Sequence, residues 1–178
     1  MNHPLIQFYS GESPDHAGRY IVDIWAFSDE EIESTHDSIQ WLFPIEEPSY
    51  FNRNTPKLTV EVVKAFHADN ALREALVYSF DLMLDFYGLV AQVGQETGNI
   101  YIVKDDDYKV KVNNWQTGQN HNMLRITRIL KSLGTLGCED NAIAFYDCLQ
   151  SLIAEDSKGF NSTSIAFWDE AIRNMKTR

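Results

Sequence analysis

The sequence predicts a mainly α protein, a single-domain bundle of about six or seven helices, with residues 100–112 as the one candidate for a short β-hairpin. Three observations carry this prediction. Apolar residues recur at three- and four-residue steps through most of the chain, capping residues stand where several of these periods begin, and apolar–polar alternation is confined to one stretch. A length of 178 residues suits one domain that buries roughly two-thirds of its unfolded surface.

The elements follow in order. Ser28-Asp29-Glu30-Glu31 has the form of a capping box, predicting a helix from Asp29 until Pro44 stops it, with Ile32, Ile39, Leu42 and Phe43 as its apolar face. Residues 44–56 contain prolines and no helical period, and read as an ordered loop. Thr59 caps a short helix with Val62, Val63 and Phe66 inward. Over residues 70–90, Leu72, Leu76, Phe80, Met83, Leu84 and Tyr87 form a broad stripe. Residues 94–114 read two ways, as strands at 100–103 and 108–112 around Asp105-Asp106-Asp107, or as an irregular excursion. Residues 121–134 predict a helix with Met123, Ile126, Leu130 and Leu133 toward the core, and Gly134 and Gly137 close it. Ile143, Tyr146, Leu149 and Ile153 mark a helix over 139–155. A last one follows Asn161 or Ser162, with Ile165, Trp168 and Ile172 as its stripe. No internal repeat or low-complexity tract divides the chain.

Charge limits the partners. A net charge of −11 and a pI near 4.8 argue against nucleic acid and against anionic membrane surfaces, both of which need a basic footprint. No targeting segment or run of about 18 apolar residues is present, so the chain reads as soluble and cytoplasmic. Cys138 and Cys148 are too few for a disulfide framework and lack partners at metal-site spacing, so they read as half-buried helix thiols in a reducing compartment.

Arg125, Arg128 and Lys131 are the exception in this acidic chain. They follow at three-residue intervals on one face of the 121–134 helix, and either hold an anion or carboxylate or clamp the chain's own Asp and Glu residues. Around them the sequence offers amides and aromatics as candidate ligand-binding residues. These are His36, Gln40 and Trp41 on one predicted helix, then Asn113, Asn114, Trp115, His121, Asn122, Arg125 and Arg128 around the start of another. His36 and Gln40, four apart, share a helix face in this reading, and free N–H groups at the later helix start favour an anion. Such a set suits a zwitterionic peptide or small metabolite. Equally, the groups satisfy one another while Trp25, Trp41 and Trp115 pack the core. Arg19 beside Asp15 and Asp23 reads as an ion pair tying down a Pro14–Gly18 turn. Adjacent His36-Asp37 invites comparison with metal phosphohydrolases, yet only His67 lies at a suitable separation, so neither metal nor cofactor is expected. Asp105-Asp106-Asp107 lacks the glycine and terminal glutamate of a calcium loop and reads as a solvated turn.

The same basic helix makes the chain recognisable. It resembles the conserved region of the opioid growth factor receptor family, and the resemblance extends from about residue 7 to 150. It runs through Phe8-Tyr9-Ser10-Gly11, Pro14-Asp15, Asp23-Ile24-Trp25, His36-Asp37-Ser38-Ile39-Gln40-Trp41-Leu42-Phe43-Pro44, Pro56-Lys57-Leu58-Thr59, Met83-Leu84-Asp85-Phe86-Tyr87-Gly88 and Asn113-Asn114-Trp115. The resemblance implies binding of an opioid growth factor, an enkephalin-type pentapeptide, with receptor activity and membrane-associated or nuclear signalling in animals. This chain shows no basic nuclear-localisation run and no C-terminal repeats, so the expectation here is a standalone module binding a small peptide, an anionic ligand or a protein partner. The alternative is a small hydrolase or lyase-type enzyme using His36, His121, Arg125 and Arg128 on an anionic substrate.

Overall fold

The computed structural model of the chain describes residues 2–47, 55–117 and 120–175. It is mainly helical, with ten α-helices and one antiparallel strand pair among the described residues, and its contacts divide it into two compact units, 1–80 and 81–178. The helix count exceeds the predicted six or seven because several helices have only four to six residues, too short for a periodic stripe to reveal.

The first unit holds α1 (Pro4–Tyr9), α2 (Ile21–Trp25), α3 (Asp29–Ser34), α4 (Ile39–Leu42), α5 (Val60–Ala68) and the start of α6 (Asn70–Tyr87). Its core is aromatic. Phe8 meets Trp41 at 5.1 Å between ring centroids, Tyr9 meets Phe66 edge-on at 4.8 Å, and the Tyr9 hydroxyl donates to the Leu42 carbonyl, so α1 ties α4 and α5 together. Both expected caps form: Ser28 Oγ accepts from Glu31 N while Glu31 accepts from Ser28 N, and Thr59 accepts from Val62 N.

The single helix expected from Asp29 to Pro44 is broken. α3 ends at Ser34, residues 36–38 turn, and α4 begins at Ile39. Side-chain hydroxyls compete with the ladder here, Ser34 Oγ donating to the Glu30 carbonyl and Ser38 Oγ to that of Thr35. The expected apolar face, Ile32, Ile39, Leu42 and Phe43, is buried all the same. Residues 48–54 of the expected 44–56 loop lie outside the described residues.

The second unit contains the end of α6, β1 (Leu89–Val93), β2 (Ile100–Lys104), α7 (Tyr108–Trp115), α8 (Asn122–Thr135), α9 (Glu139–Glu155) and α10 (Ser162–Met175). α8 packs on α9 and α10, and α9 lies on β2. The hairpin pairs Leu89 with Lys104 and Val93 with Ile100, so one expected strand exists but its partner lies upstream at 89–93, overlapping the predicted 70–90 helix at its first two residues. Gly88 makes the change of direction: at φ +72° it ends α6, and a Cβ there would stand 2.7 Å from Tyr108 Cα. Residues 108–112, expected as the second strand, belong to α7. Tyr108 and Trp115 are buried and Val112 half-buried, a four-then-three step of a helix, while Val110 is 72% exposed.

α8 has its expected core stripe, Met123, Ile126, Leu130 and Leu133, joined by Ile129. Gly137 at φ +86° terminates it, with Cys138 N donating to the Leu133 carbonyl, while Gly134 lies inside the helix. α9 has its expected bounds, but its buried face is Ala142, Phe145, Cys148, Leu149 and Leu152, with Ile143, Tyr146 and Ile153 half-buried, because α8, α10 and β2 cover it from several sides. Asn161 is the cap of α10, its side chain accepting from Ser164 N at 2.8 Å. Both cysteines are buried and outside any disulfide, and burial pushes the Cys148 thiol up to about 11, which keeps it protonated at neutral pH.

Candidate functional site

Polar groups gather in two places, one in each unit. In the first, the turn at residues 14–19 closes on Asp15, whose side chain is fully enclosed. Its Oδ1 accepts from Ala17 N at 2.9 Å and Arg19 N at 3.0 Å, and its Oδ2 from Arg19 Nε at 2.7 Å. Arg19 then reaches Asp37, with Nη1 2.9 Å from Oδ1, and the other Asp37 oxygen accepts from His16 Nε2 at 3.1 Å. His16 Nδ1 accepts from Trp41 Nε1 at 3.0 Å, so these two bonds select the Nε2–H tautomer and leave no ring nitrogen open for proton transfer. The expected ion pair of Arg19 therefore forms with Asp15 and Asp37. Asp23 instead accepts from Tyr20 N at the start of α2.

Burial works against the charge of Arg19, but hydrogen bonds to Asp15 and Asp37 outweigh it and raise its pKa. Burial likewise pushes Asp37 up, and the hydrogen bond and charge of Arg19 more than reverse this and hold it below the usual carboxylate value. A carboxylate depressed in the folded state contributes stability that is complete above its unfolded pKa of about 3.9 and disappears as pH falls through the lower, folded value. Urea midpoints measured from pH 7 to pH 3 are accordingly expected to fall more steeply for the wild type than for Asp37→Asn. The two curves converge in acid, and parallel curves would exclude this role for Asp37.

In the second unit the α7–α8 connection is a chain of amides. Asn120 Nδ2 donates to the Asn114 carbonyl at 2.9 Å, Asn120 Oδ1 accepts from Asn122 N at 2.9 Å, and Asn122 Oδ1 accepts from Arg125 Nη1 at 3.1 Å. Asn122 is fully buried and Arg125 only 6% exposed, so the first cation of the row lies within the fold, while Arg128 and Lys131 are half-buried. The backbone N–H groups expected to be free at this helix start are occupied. Asn122 N donates to Asn120 Oδ1, Met123 N to the Asn120 carbonyl, and Leu124 N and Arg125 N to that of His121. Any anion here would be held by side chains.

The other candidates fall as follows. His36 is exposed in the 36–38 turn and so shares no helix face with Gln40; Gln40 and Trp41 are buried on α4. Asn113 is exposed, its amide folded back on the Lys109 carbonyl at 3.1 Å. Trp115 is core, fully enclosed, with Nε1 donating to the Tyr87 carbonyl at 3.0 Å. His121 is exposed immediately before α8. Among the described residues no three His, Cys, Asp or Glu side chains stand together as a metal site, and Asp107 of the acidic turn pairs with Lys111 at 3.1 Å.

The family described as "Opioid growth factor receptor (OGFr) conserved region" matches residues 3–178, nearly the whole chain. The chain belongs to the opioid growth factor receptor family. It is 33% identical to the opioid growth factor receptor of Homo sapiens over 178 residues, covering 96% of this chain and 25% of the relative. It is 40% identical to that of Mus musculus over 119 residues, covering 67% and 18%. The opioid growth factor receptor-like protein 1 of Mus musculus is 28% identical over 185 residues, covering 97% and 37%. The chain therefore spans between 18% and 37% of the length of these family members. No solved structure matches it. Among the described residues no helix is long and apolar enough to cross a membrane.

Sequence reasoning about this opioid growth factor receptor region missed Asn120 and the partnership of His16, Asp37 and Trp41. Asn120 stands two residues before the helix start, an Asx-turn position, which was the available signal. His16 and Trp41 are 25 residues apart and had none.

Proposed function

We propose that this opioid growth factor receptor-like chain is a non-enzymatic recognition module that takes a small peptide or an anionic ligand, with the side chains of His121, just before α8, and Arg128, on it, as the groups that meet its carboxylate and with Asn122 and Arg125 buried in the same helix. The observation that carries this reading is the match to the human opioid growth factor receptor over 96% of this chain, since the region shared with a protein named as a receptor is where recognition is most economically placed. The chemistry is consistent. Guanidinium groups are suited to carboxylates through paired N–H donors, and α8 carries two of them, Arg125 braced by the buried Asn122 amide and Arg128 half-buried one turn on. A signalling role would follow from peptide recognition rather than from catalysis.

Thermal unfolding with added Tyr-Gly-Gly-Phe-Met, against a scrambled peptide of the same composition, tests the reading. A ligand at a hundredfold excess over its dissociation constant adds about 2.7 kcal/mol, which for a chain of this size raises the midpoint by several degrees. The expected result is a shift specific to the ordered peptide and largely lost in Arg128→Gln. Equal responses to both peptides, or none at millimolar concentration, would overturn it.

A further inference from the structure

The first unit carries an aromatic surface that the α8 site does not use. On α2, Val22 is 58% exposed and Trp25, three residues on, is half-buried; on α6, Tyr78 is 56% exposed and its ring lies 4.4 Å from that of Trp25, tilted by 45°. Aromatic side chains of this size are more often covered, and an exposed pair held together marks a contact surface more often than scattered single residues do. This pair is also held in place before anything binds. Trp25 Nε1 donates to Ser79 Oγ at 2.9 Å, and that hydroxyl donates to the Ala75 carbonyl at 2.9 Å, so the indole cannot turn without breaking a hydrogen bond. Rigid, half-covered Trp and Tyr side chains are the residues that anchor protein interfaces at low entropic cost.

Charge indicates the partner. Residues 1–80 contain thirteen Asp and Glu against five Lys and Arg. Two of those five are already engaged: Arg19 with Asp15 and Asp37, and Arg73 with the Phe66 and His67 carbonyls at 2.6 and 2.7 Å. Glu74 is exposed one helical turn before Tyr78, its carboxylate accepting from Asn70 Nδ2, and Asp23 lies between Val22 and Trp25 in the chain. A tyrosine and an indole on so acidic a unit attract a guanidinium or ammonium through the ring faces and the negative field together, while Val22, exposed on α2, adds apolar surface. We infer that the Trp25–Tyr78 pair is a docking surface for a basic segment of a partner protein, one that sets an Arg or Lys side chain against the rings.

The test uses the whole chain and two synthetic probes, acetyl-Arg-Leu-Arg-Arg-amide and its glutamate counterpart acetyl-Glu-Leu-Glu-Glu-amide, followed by the indole N–H resonances. The basic probe is expected to move the Trp25 resonance and leave those of the enclosed Trp115 and Trp168 in place. Tyr78→Ala is expected to weaken binding about tenfold, and Glu74→Gln to weaken it less and flatten its dependence on salt. Tyr101→Ala, which removes an exposed tyrosine on β2, leaves binding unchanged. No shift of Trp25 at millimolar probe, equal binding of the acidic probe, or indifference to Tyr78→Ala would each overturn the inference. The opioid peptide experiment on α8 is independent of all three outcomes.

Discussion

Trp115→Ala is expected to cost the second unit about 3–5 kcal/mol, the range for emptying a large aromatic from a closed core. Trp115 is fully enclosed, meets Tyr87 at 5.0 Å and Phe160 at 6.1 Å between centroids, and donates its indole N–H to the Tyr87 carbonyl. Truncation therefore removes ring contacts and also leaves a buried carbonyl without its donor. Trp115→Phe separates the two contributions: it keeps most of the packing, loses the hydrogen bond, and is expected to cost about 1–3 kcal/mol. Urea unfolding followed by far-ultraviolet dichroism measures both. An alanine variant of nearly unchanged stability that had lost peptide binding would return Trp115 to the ligand-facing role its sequence context suggested.

Asp15→Ala is expected to destabilise the first unit by about 1–3 kcal/mol, the cost of leaving hydrogen-bond donors of a part-buried turn without their acceptor. Its carboxylate accepts from two backbone N–H groups and from Arg19, so its loss removes the shared acceptor of three donors in a part-buried turn, while Arg19 keeps Asp37. Asp15→Asn keeps an oxygen for the backbone but not the charge, and is expected to fall between. The decisive comparison is the double variant Asp15→Ala/Arg19→Met. Removing both partners costs less than the sum of the single changes, because the hydrogen bonds between Asp15 and Arg19 are then lost once rather than twice. Strictly additive losses would show that the pair is not coupled and that the turn is held by something else.

Much of the fold was legible because its signals are local. The capping box at Ser28, the cap at Thr59, the bounds of α9 and the α8 core stripe each depend on residues within a few positions of one another, and a helix brings such residues together whatever surrounds it. Legibility failed where local signals conflict. Residues 108–112 alternate like a strand, yet Trp115 completes the helical spacing of Tyr108 and Val112, and burial of those rings decided the outcome. Asp29 to Phe43 has a helical apolar face without being one helix, because hydroxyls at Ser34 and Ser38 take backbone carbonyls for themselves. Among the candidate ligand-binding residues, Asn122 and Arg125 are hydrogen-bonded to each other one turn apart, and Trp115 and Trp41 are buried in aromatic packing.

The sequence by itself determined the helical class, the principal caps and stripes, the acidic character and the family, since all of these are properties of composition and of short-range order along the chain. The tertiary structure alone decided that Asp37 belongs to Arg19, 18 residues away, and to His16, that β2 pairs backward with β1, and that Arg125 lies buried while Tyr78 is exposed. The physical reason is that hydrogen bonds and burial are settled by which surfaces meet after the chain reverses, and no pattern within one segment carries that information.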